Sequence, residues 1–289
     1  MAPGQVVGQV PGQVPGQVTA GPALELRDVG VRFGSFDAVN GVSLTVHAGE
    51  VVGLIGPNGA GKTVTFNVVT GLQPATRGQV LLGGQDITRA PAHVRTGLGL
   101  ARTFQVVQLF AGMTVRENLM VAAHRWTTAG LVSDSLHLPS RRRALAQAGE
   151  RASAVLAFLE LTHLAEVQAS SLPVGQARLV ELARALCLKP KVLLLDEPAS
   201  GLDPAETADF VQLLAEVRSV LGCAMLLVEH DMGVVMPLCD HLVVMNFGTV
   251  LAAGSPQQVR ADPAVRDAYL GGGAVPIDSV PINPAPVAT

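Results

Sequence analysis

Hydrophobic positions change period several times along the chain, and the changes mark its elements. ALELRDVGVRF alternates apolar and polar residues through Leu24, Leu26, Val29, Val31 and Phe33, which predicts a strand carrying a bulge. GVSLTVHAGEVVGLIG gives two further strand-like runs around the turn pair Ala48-Gly49. VTFNVVTGL continues as a helix from Lys62 to about Thr70, QVLLGGQDI reads as an edge hairpin strand, and GLGLARTFQ returns to extended character, ending at Gln105. From Thr114 to about Ala185 helical spacing dominates. TVRENLMVAAHR opens with the capping-box pair Thr114 and Glu117. RRRALAQAGERASAVLAFLELTHL sets apolar residues on one face and charges on the other, and Trp126 to Ser140 between them reads as a loop. PKVLLLDEP and CAMLLVEH are continuous apolar runs, the pattern of strands covered on both faces. ETADFVQLLAEVRSVLG is an amphipathic helix, DHLVVMNFGTVLAAG a final pair of strands, and SPQQVRADPAVRDAYLG short helices. Strands alternating with helices predict an α/β fold, a mainly parallel sheet with helices on both sides and a mostly helical insertion.

Composition sets the limits of that domain. Residues 3–18 repeat PGQV-like units without charge or aromatic, and GGGAVPIDSVPINPAPVAT from Gly271 onward is rich in Pro and Gly. Neither buries enough surface to offset its ordering entropy, so 1–22 and 273–289 are expected to be disordered tails. The domain is expected over 23–272, with its core in 23–100 and 185–272 and a helical subdomain over about 101–184. Hydrophobic residues make up 48% of the 289, yet no uninterrupted apolar run reaches the length of about 18 needed for a membrane span. A net charge of −3 offers no basic face for nucleic acid. Cys187, Cys223 and Cys239 lie far apart with no CxxC spacing, and no secretory signal precedes them, which points to reduced thiols in the cytoplasm.

The chemistry concentrates in GPNGAGKT, Gly56 to Thr63, between an apolar strand and a helix. That is the context of a phosphate-binding loop. Gly56, Gly59 and Gly61 let the backbone turn its N–H groups toward one anion, together with Pro57, Asn58 and Ala60. The helix adds its positive end, Lys62 reaches the outer phosphates, and Thr63 supplies a hydroxyl for Mg²⁺. A nucleoside triphosphate is the expected ligand. Asp196 ends the run VLLLD, where a carboxylate can hold the metal, and the adjacent Glu197 is placed to polarise an attacking water as general base. His230 ends LLVEH; at the carboxyl edge of a parallel sheet it becomes a candidate for the γ-phosphate or the water. Gln105 opens the helical insert, where its amide can reach Mg²⁺ or water, although surface glutamines are common and its residue type alone assigns it no role.

GPNGAGKT, RTFQ, LPVGQARLVELARAL, VLLLDEPASGLD and LVEHD, in that order and over about residues 23–272, resemble the ATP-binding-cassette (ABC) ATPases. The resemblance implies a P-loop core with a mainly parallel sheet, an antiparallel β subdomain and an inserted helical subdomain. It also implies a head-to-tail dimer with ATP and Mg²⁺ at the interface, each phosphate loop facing the partner's segment Leu172-Pro173-Val174-Gly175-Gln176. Ser200-Gly201-Leu202-Asp203 then exchanges contacts between the two sites, and Phe33 stacks on adenine, with Phe36 the weaker choice and a core phenylalanine the competing reading. Two positions depart from the family. Pro173 replaces a signature serine, whose lost charge-assisted hydrogen bond is worth about 1.5–3 kcal/mol. Val64 replaces a second hydroxyl residue after the lysine and removes an α-phosphate contact.

RTFQVVQLFAGMTVRENLMVA, the LP-x-GQ signature, MNFGTVLAAG and the closing DAYLG are similar to the ATPases of branched-chain amino acid importers, with urea, short-amide and lipopolysaccharide-export ATPases as near relatives. The resemblance implies an energy-coupling subunit on the cytoplasmic face of a membrane. Its partners are integral membrane permease subunits, a second ABC ATPase (itself or a homologue) and, indirectly, a periplasmic or extracellular solute-binding protein. Val106 to Val121 is expected to line the permease groove; Arg141, Arg142 and Arg143 read as a solvated face rather than a lipid contact. The competing classes are a soluble ATP-driven clamp, for which coiled-coil insertions, tandem cassettes or a basic face are missing, and a P-loop kinase or GTPase, for which NKxD is missing.

Overall fold

The computed structural model describes residues 21–123 and 139–270. Two sheets carry the fold. Strands β1 (Leu24–Phe33), β2 (Phe36–Val46), β4 (Arg77–Leu82) and β5 (Gln85–Asp86) form an antiparallel sheet in the order β2-β1-β4-β5. Strands β3 (Val51–Ile55), β6 (Leu100–Arg102), β7 (Val192–Asp196), β8 (Ala224–Val228), β9 (His241–Asn246) and β10 (Thr249–Gly254) form the second, ordered β10-β9-β3-β8-β7-β6. Only its β9–β10 pairing is antiparallel. The two runs flanking Ala48-Gly49 thus belong to different sheets.

Side chains of the parallel strands alternate between two cores. Val51, Ile55, Leu193, Leu195, Met225 and Leu227 face one, and Val52, Leu54, Val192, Leu194, Leu226 and Val228 face the other. Double-sided burial explains why these strands read as unbroken apolar runs. Helices α3 (Val115–Ala123), α4 (Pro139–Phe158), α5 (Val174–Leu186), α6 (Pro204–Leu221), α7 (Met232–Leu238), α8 (Pro256–Ala261) and α9 (Pro263–Leu270) supply the first core. The second is closed by α1 (Lys62–Thr70) and the antiparallel sheet, so helices on both sides holds only in part. A short helix, α2 (Ala92–Gly97), precedes β6.

Several local expectations hold. The bulge in β1 falls at Asp28, with φ 47° and register shifts on either side. Thr114 and Glu117 make the capping box: Glu117 Oε2 accepts from the Thr114 N–H at 2.8 Å, and Thr114 Oγ1 from the Glu117 N–H at 3.2 Å. Helix α4 starts at Pro139, so Pro139 and Ser140 belong to it and not to the loop; the rest of that loop to residue 138, like both tails, lies largely or wholly outside the described residues. The inserted helices begin after β6, whose Ala101 and Arg102 pair with Leu193 and Leu194 of the core. The three cysteines are buried, and burial raises each thiol, Cys187 to about 12. They pack as small hydrophobes.

Candidate nucleotide site

Parallel pairing aligns the strand ends that carry the candidate residues. Leu54 and Asp196 both pair with Val228, so the loops after β3, β7 and β8 open at one edge of the sheet. The loop after β3 turns at once. Gly56 has φ 145°, and a Cβ there would lie 2.1 Å from the Met245 carbonyl oxygen; Gly61 has φ 98° and would meet the Ala38 carbonyl at 2.6 Å. Any side chain at either position would push the loop off β9 or β2. No side chain caps α1, and its first turn carries no acid, which leaves that positive end available to an anion.

Lys62 is buried at the start of α1, with Nζ donating to the carbonyls of Gly56 (2.6 Å) and Pro57 (3.1 Å). Burial lowers its pKa, opposed by the charge of Glu197. The ammonium is thus held within its own loop by neutral acceptors only, while Asn58, Gly59 and Thr63 are exposed beside it. Val64 is partly buried, its side chain packed against the second core.

Three of the expected residues meet at Glu197. Gln105 Nε2 donates to Glu197 Oε2 at 2.7 Å, and His230 Nδ1 lies 3.9 Å from Glu197 Oε1. Glu197 itself has φ 43°, a left-handed conformation unusual for a glutamate, fixed by its N–H donating to the Val228 carbonyl at 2.8 Å. Asp196, at the end of β7, is paired with Arg102 at 2.6 Å, their side chains 6% and 12% exposed. The Arg102 guanidinium also donates to Asn67 Oδ1 at 2.9 Å and stacks on Phe66 and Phe104, 5.3 and 5.2 Å from the ring centres.

Sequence reading missed Arg102, although a signal was there: an arginine ending a buried strand needs a counter-charge. It also missed Glu229, which is buried at the end of β8 and accepts the N–H groups of Ala199, His230 and Asp231 at 3.2, 2.9 and 3.2 Å. Glu229 therefore fixes the loop carrying His230 to the loop after Glu197. Desolvation raises its carboxyl, opposed by those bonds.

Phe33 and Phe36 face each other at the β1–β2 turn, 50% and 66% exposed, so the core reading of Phe33 is excluded. The same hairpin lies against Gly61 through Ala38 and Val39. Pro173, Val174, Gly175 and Gln176 sit elsewhere, at the exposed start of α5, where Pro173 is the N-cap. Their neighbours are Gly201, beside Val174, and Glu206, beside Gly175. Asp203 spends one carboxylate oxygen on capping α6, accepting from Ala205 and Glu206 N–H at 2.8 and 2.9 Å.

Residues 39–200 match the model of the ABC transporter family. The chain belongs to the ABC ATPases. Residues 249–275 match a second model, described as branched-chain amino acid ATP-binding cassette transporter. The cassette is 45% identical over 250 residues to the high-affinity branched-chain amino acid transport ATP-binding protein BraF of Pseudomonas aeruginosa, and 46% identical over 250 residues to LivG of Escherichia coli. Each comparison covers 86% of this chain and 98% of the relative. Among solved structures, a nucleotide-free ATP-binding cassette from an ABC transporter superposes with a TM-score of 0.74 at 34% identity, covering 86% of this chain and 98% of that one. The cassette is an ATP-binding protein and an ATPase.

Proposed function

We propose that this cassette energises a membrane importer of branched-chain amino acids, binding Mg²⁺-ATP at the loop from Gly56 to Thr63 and hydrolysing it with Glu197 as general base. The observation that carries the catalytic part is the convergence of Gln105, Glu197 and His230 at the edge where the phosphate loop opens. Glu197 accepts a proton from water, Gln105 orients its carboxylate through the bond at 2.7 Å, and His230 stands 3.9 Å from its other oxygen. Phe33 offers adenine an exposed ring.

Oxygen donors of the right kind for Mg²⁺ are present in Thr63 and Asp196, with Gln105 nearby. Arg102 takes one carboxylate oxygen of Asp196, Oδ2, at 2.6 Å, which leaves Oδ1 as the oxygen to hold the ion in this reading. When bound, the ion supplies neutralisation of the outer phosphates.

The amino acid substrate is supported by the match over residues 249–275 and by the two relatives. No helix among the described residues is long and apolar enough to cross a membrane, so in this reading translocation belongs to separate permease subunits. An apolar cavity of about 420 Å³ lined by Met113, Glu117, Met120, Val121 and Leu145 suits a permease helix, and Val106 and Phe110 are exposed nearby in sequence. Arg142 and Arg143 are exposed on α4, in keeping with a solvated face. The second ATPase, a second copy or a homologue, contributes the segment that corresponds to Pro173–Gln176 and Asp203 of this chain across the interface. In purified protein we expect Glu197→Gln to lower turnover by about 100-fold or more while retaining ATP and accumulating dimers in size-exclusion chromatography. Turnover near that of the unaltered chain would remove Glu197 from the mechanism.

A further inference from the structure

Two buried charges of α5, Arg178 and Glu181, hold the loop that carries Gln105. Their side chains are 7% and 2% exposed, and they sit one turn apart, 3.8 Å from each other. Arg178 Nη1 donates to the Phe104 carbonyl at 2.9 Å; Nη2 donates to the carbonyls of Gln105 at 2.6 Å and Ser200 at 3.1 Å. Glu181 Oε1 accepts the N–H groups of Phe104 and Gln108, both at 3.3 Å. Phe104 therefore has both its backbone groups bound by one helix. The segment from Thr103 to Phe110 is neither helix nor strand; Thr103 donates to the Leu194 carbonyl at 2.9 Å, whereas backbone groups of Phe104, Gln105 and Gln108 take side-chain partners.

An apolar pair of similar volume would pack at least as well as a buried ion pair, and the charges cost desolvation. What they add is registry. A planar fork that addresses three carbonyls admits one placement of the loop relative to the helix. The N-terminal segment of that helix is Pro173–Gln176, and the gripped loop carries Gln105, next to Phe104, with its side chain 2.7 Å from Glu197. Ser200, the third acceptor, lies in the loop leading to Asp203.

We propose that Arg178 and Glu181 are positioning residues that pass a displacement of α5, imposed at Pro173–Gln176, to Gln105 and hence to Glu197. The inference rests on the reading above, in which Pro173–Gln176 engages nucleotide on a partner cassette. Each half of the dimer then senses through this bracket whether the opposite site is filled.

The test uses the full chain carrying Glu197→Gln, with and without Arg178→Met, and follows amide hydrogen exchange of Thr103–Phe110 as Mg²⁺-ATP is added. With Arg178 present, ATP-driven dimerisation is expected to slow exchange at Phe104 and Gln108 by about tenfold or more. With Arg178→Met the dimers still form, but that ATP-linked change falls below about twofold. With Glu197 intact, Arg178→Met is expected to lower kcat about tenfold while the Kd for ATP stays within about threefold, and Arg178→Lys to recover part of kcat. Equal ATP-linked protection in both proteins, with kcat within about twofold, overturns the proposal. A Glu197→Gln chain that never dimerises with ATP overturns the two-site reading itself, and this inference with it. If Arg178→Met shows no cooperative melt, Glu181→Gln takes its place in the same comparison, with the same expected and overturning results.

Discussion

At the scale of single residues, the candidate site is organised by charges whose partners sequence pattern does not reveal. Asp196 and Glu197 were legible because two carboxylates following an apolar strand stand out. Arg102 was not, because its importance lies in a partner 94 positions away. Asp196 is nearly as buried as the leucines before it, and Arg102 neutralises it. Arg102→Met should therefore leave an uncompensated carboxylate and cost about 3–5 kcal/mol in urea unfolding without nucleotide. Adding Asp196→Asn to that variant should return a large part of the loss. A cost below about 1 kcal/mol, or strict additivity of the two changes, would mean that the pair contributes nothing specific. Glu229 and Arg178 escaped notice for the same reason: they bond to backbone groups of distant loops, and backbone partners leave no signature in residue type.

Elements with a period or a cap were readable. The α1 limits Lys62–Thr70, the Thr114–Glu117 cap and the β9–β10 pair all follow from local rules. Helices α2 and α7 did not announce themselves, at six and seven residues, because neither is long enough to show a periodic face. Helix α2 owes its place to Arg95, whose buried guanidinium bonds the Val68 and Val69 carbonyls near the end of α1 and those of Thr88 and Ala90. It supplies from outside what the last turn of α1 lacks.

The β9–β10 turn shows an element working against its own residue. Phe247 and Gly248 both have positive φ, 44° and 79°, as a two-residue hairpin turn requires. Phenylalanine is a poor choice there and is 88% exposed. Phe247→Asn should raise stability by about 0.5–1 kcal/mol, a rise of roughly 1–4 °C in Tm. A lower Tm would show that the ring makes a stabilising contact that outweighs its backbone strain.

For the whole molecule, fold class and the location of the site were legible from the alternation of apolar runs and helical segments. The resemblance implied an antiparallel subdomain beside the parallel sheet; what stayed hidden was which of the first strands joins which. Strands β2 and β3 adjoin in sequence, yet only β3 joins the parallel sheet, because β2 completes the antiparallel one that covers it. This arrangement brings Ala38 of β2 and Met245 of β9 against the glycine loop from two sides and leaves its outer face exposed. Binding at that face is the claim on which transport, dimerisation and the α5 bracket all stand. Its most direct test is calorimetric titration of Mg²⁺-ATP into the Lys62→Ala chain. Losing a charged donor to phosphate should cost about 1.5–3 kcal/mol, a rise in Kd of about 10–150-fold, whereas an unchanged Kd would contradict nucleotide binding at this loop.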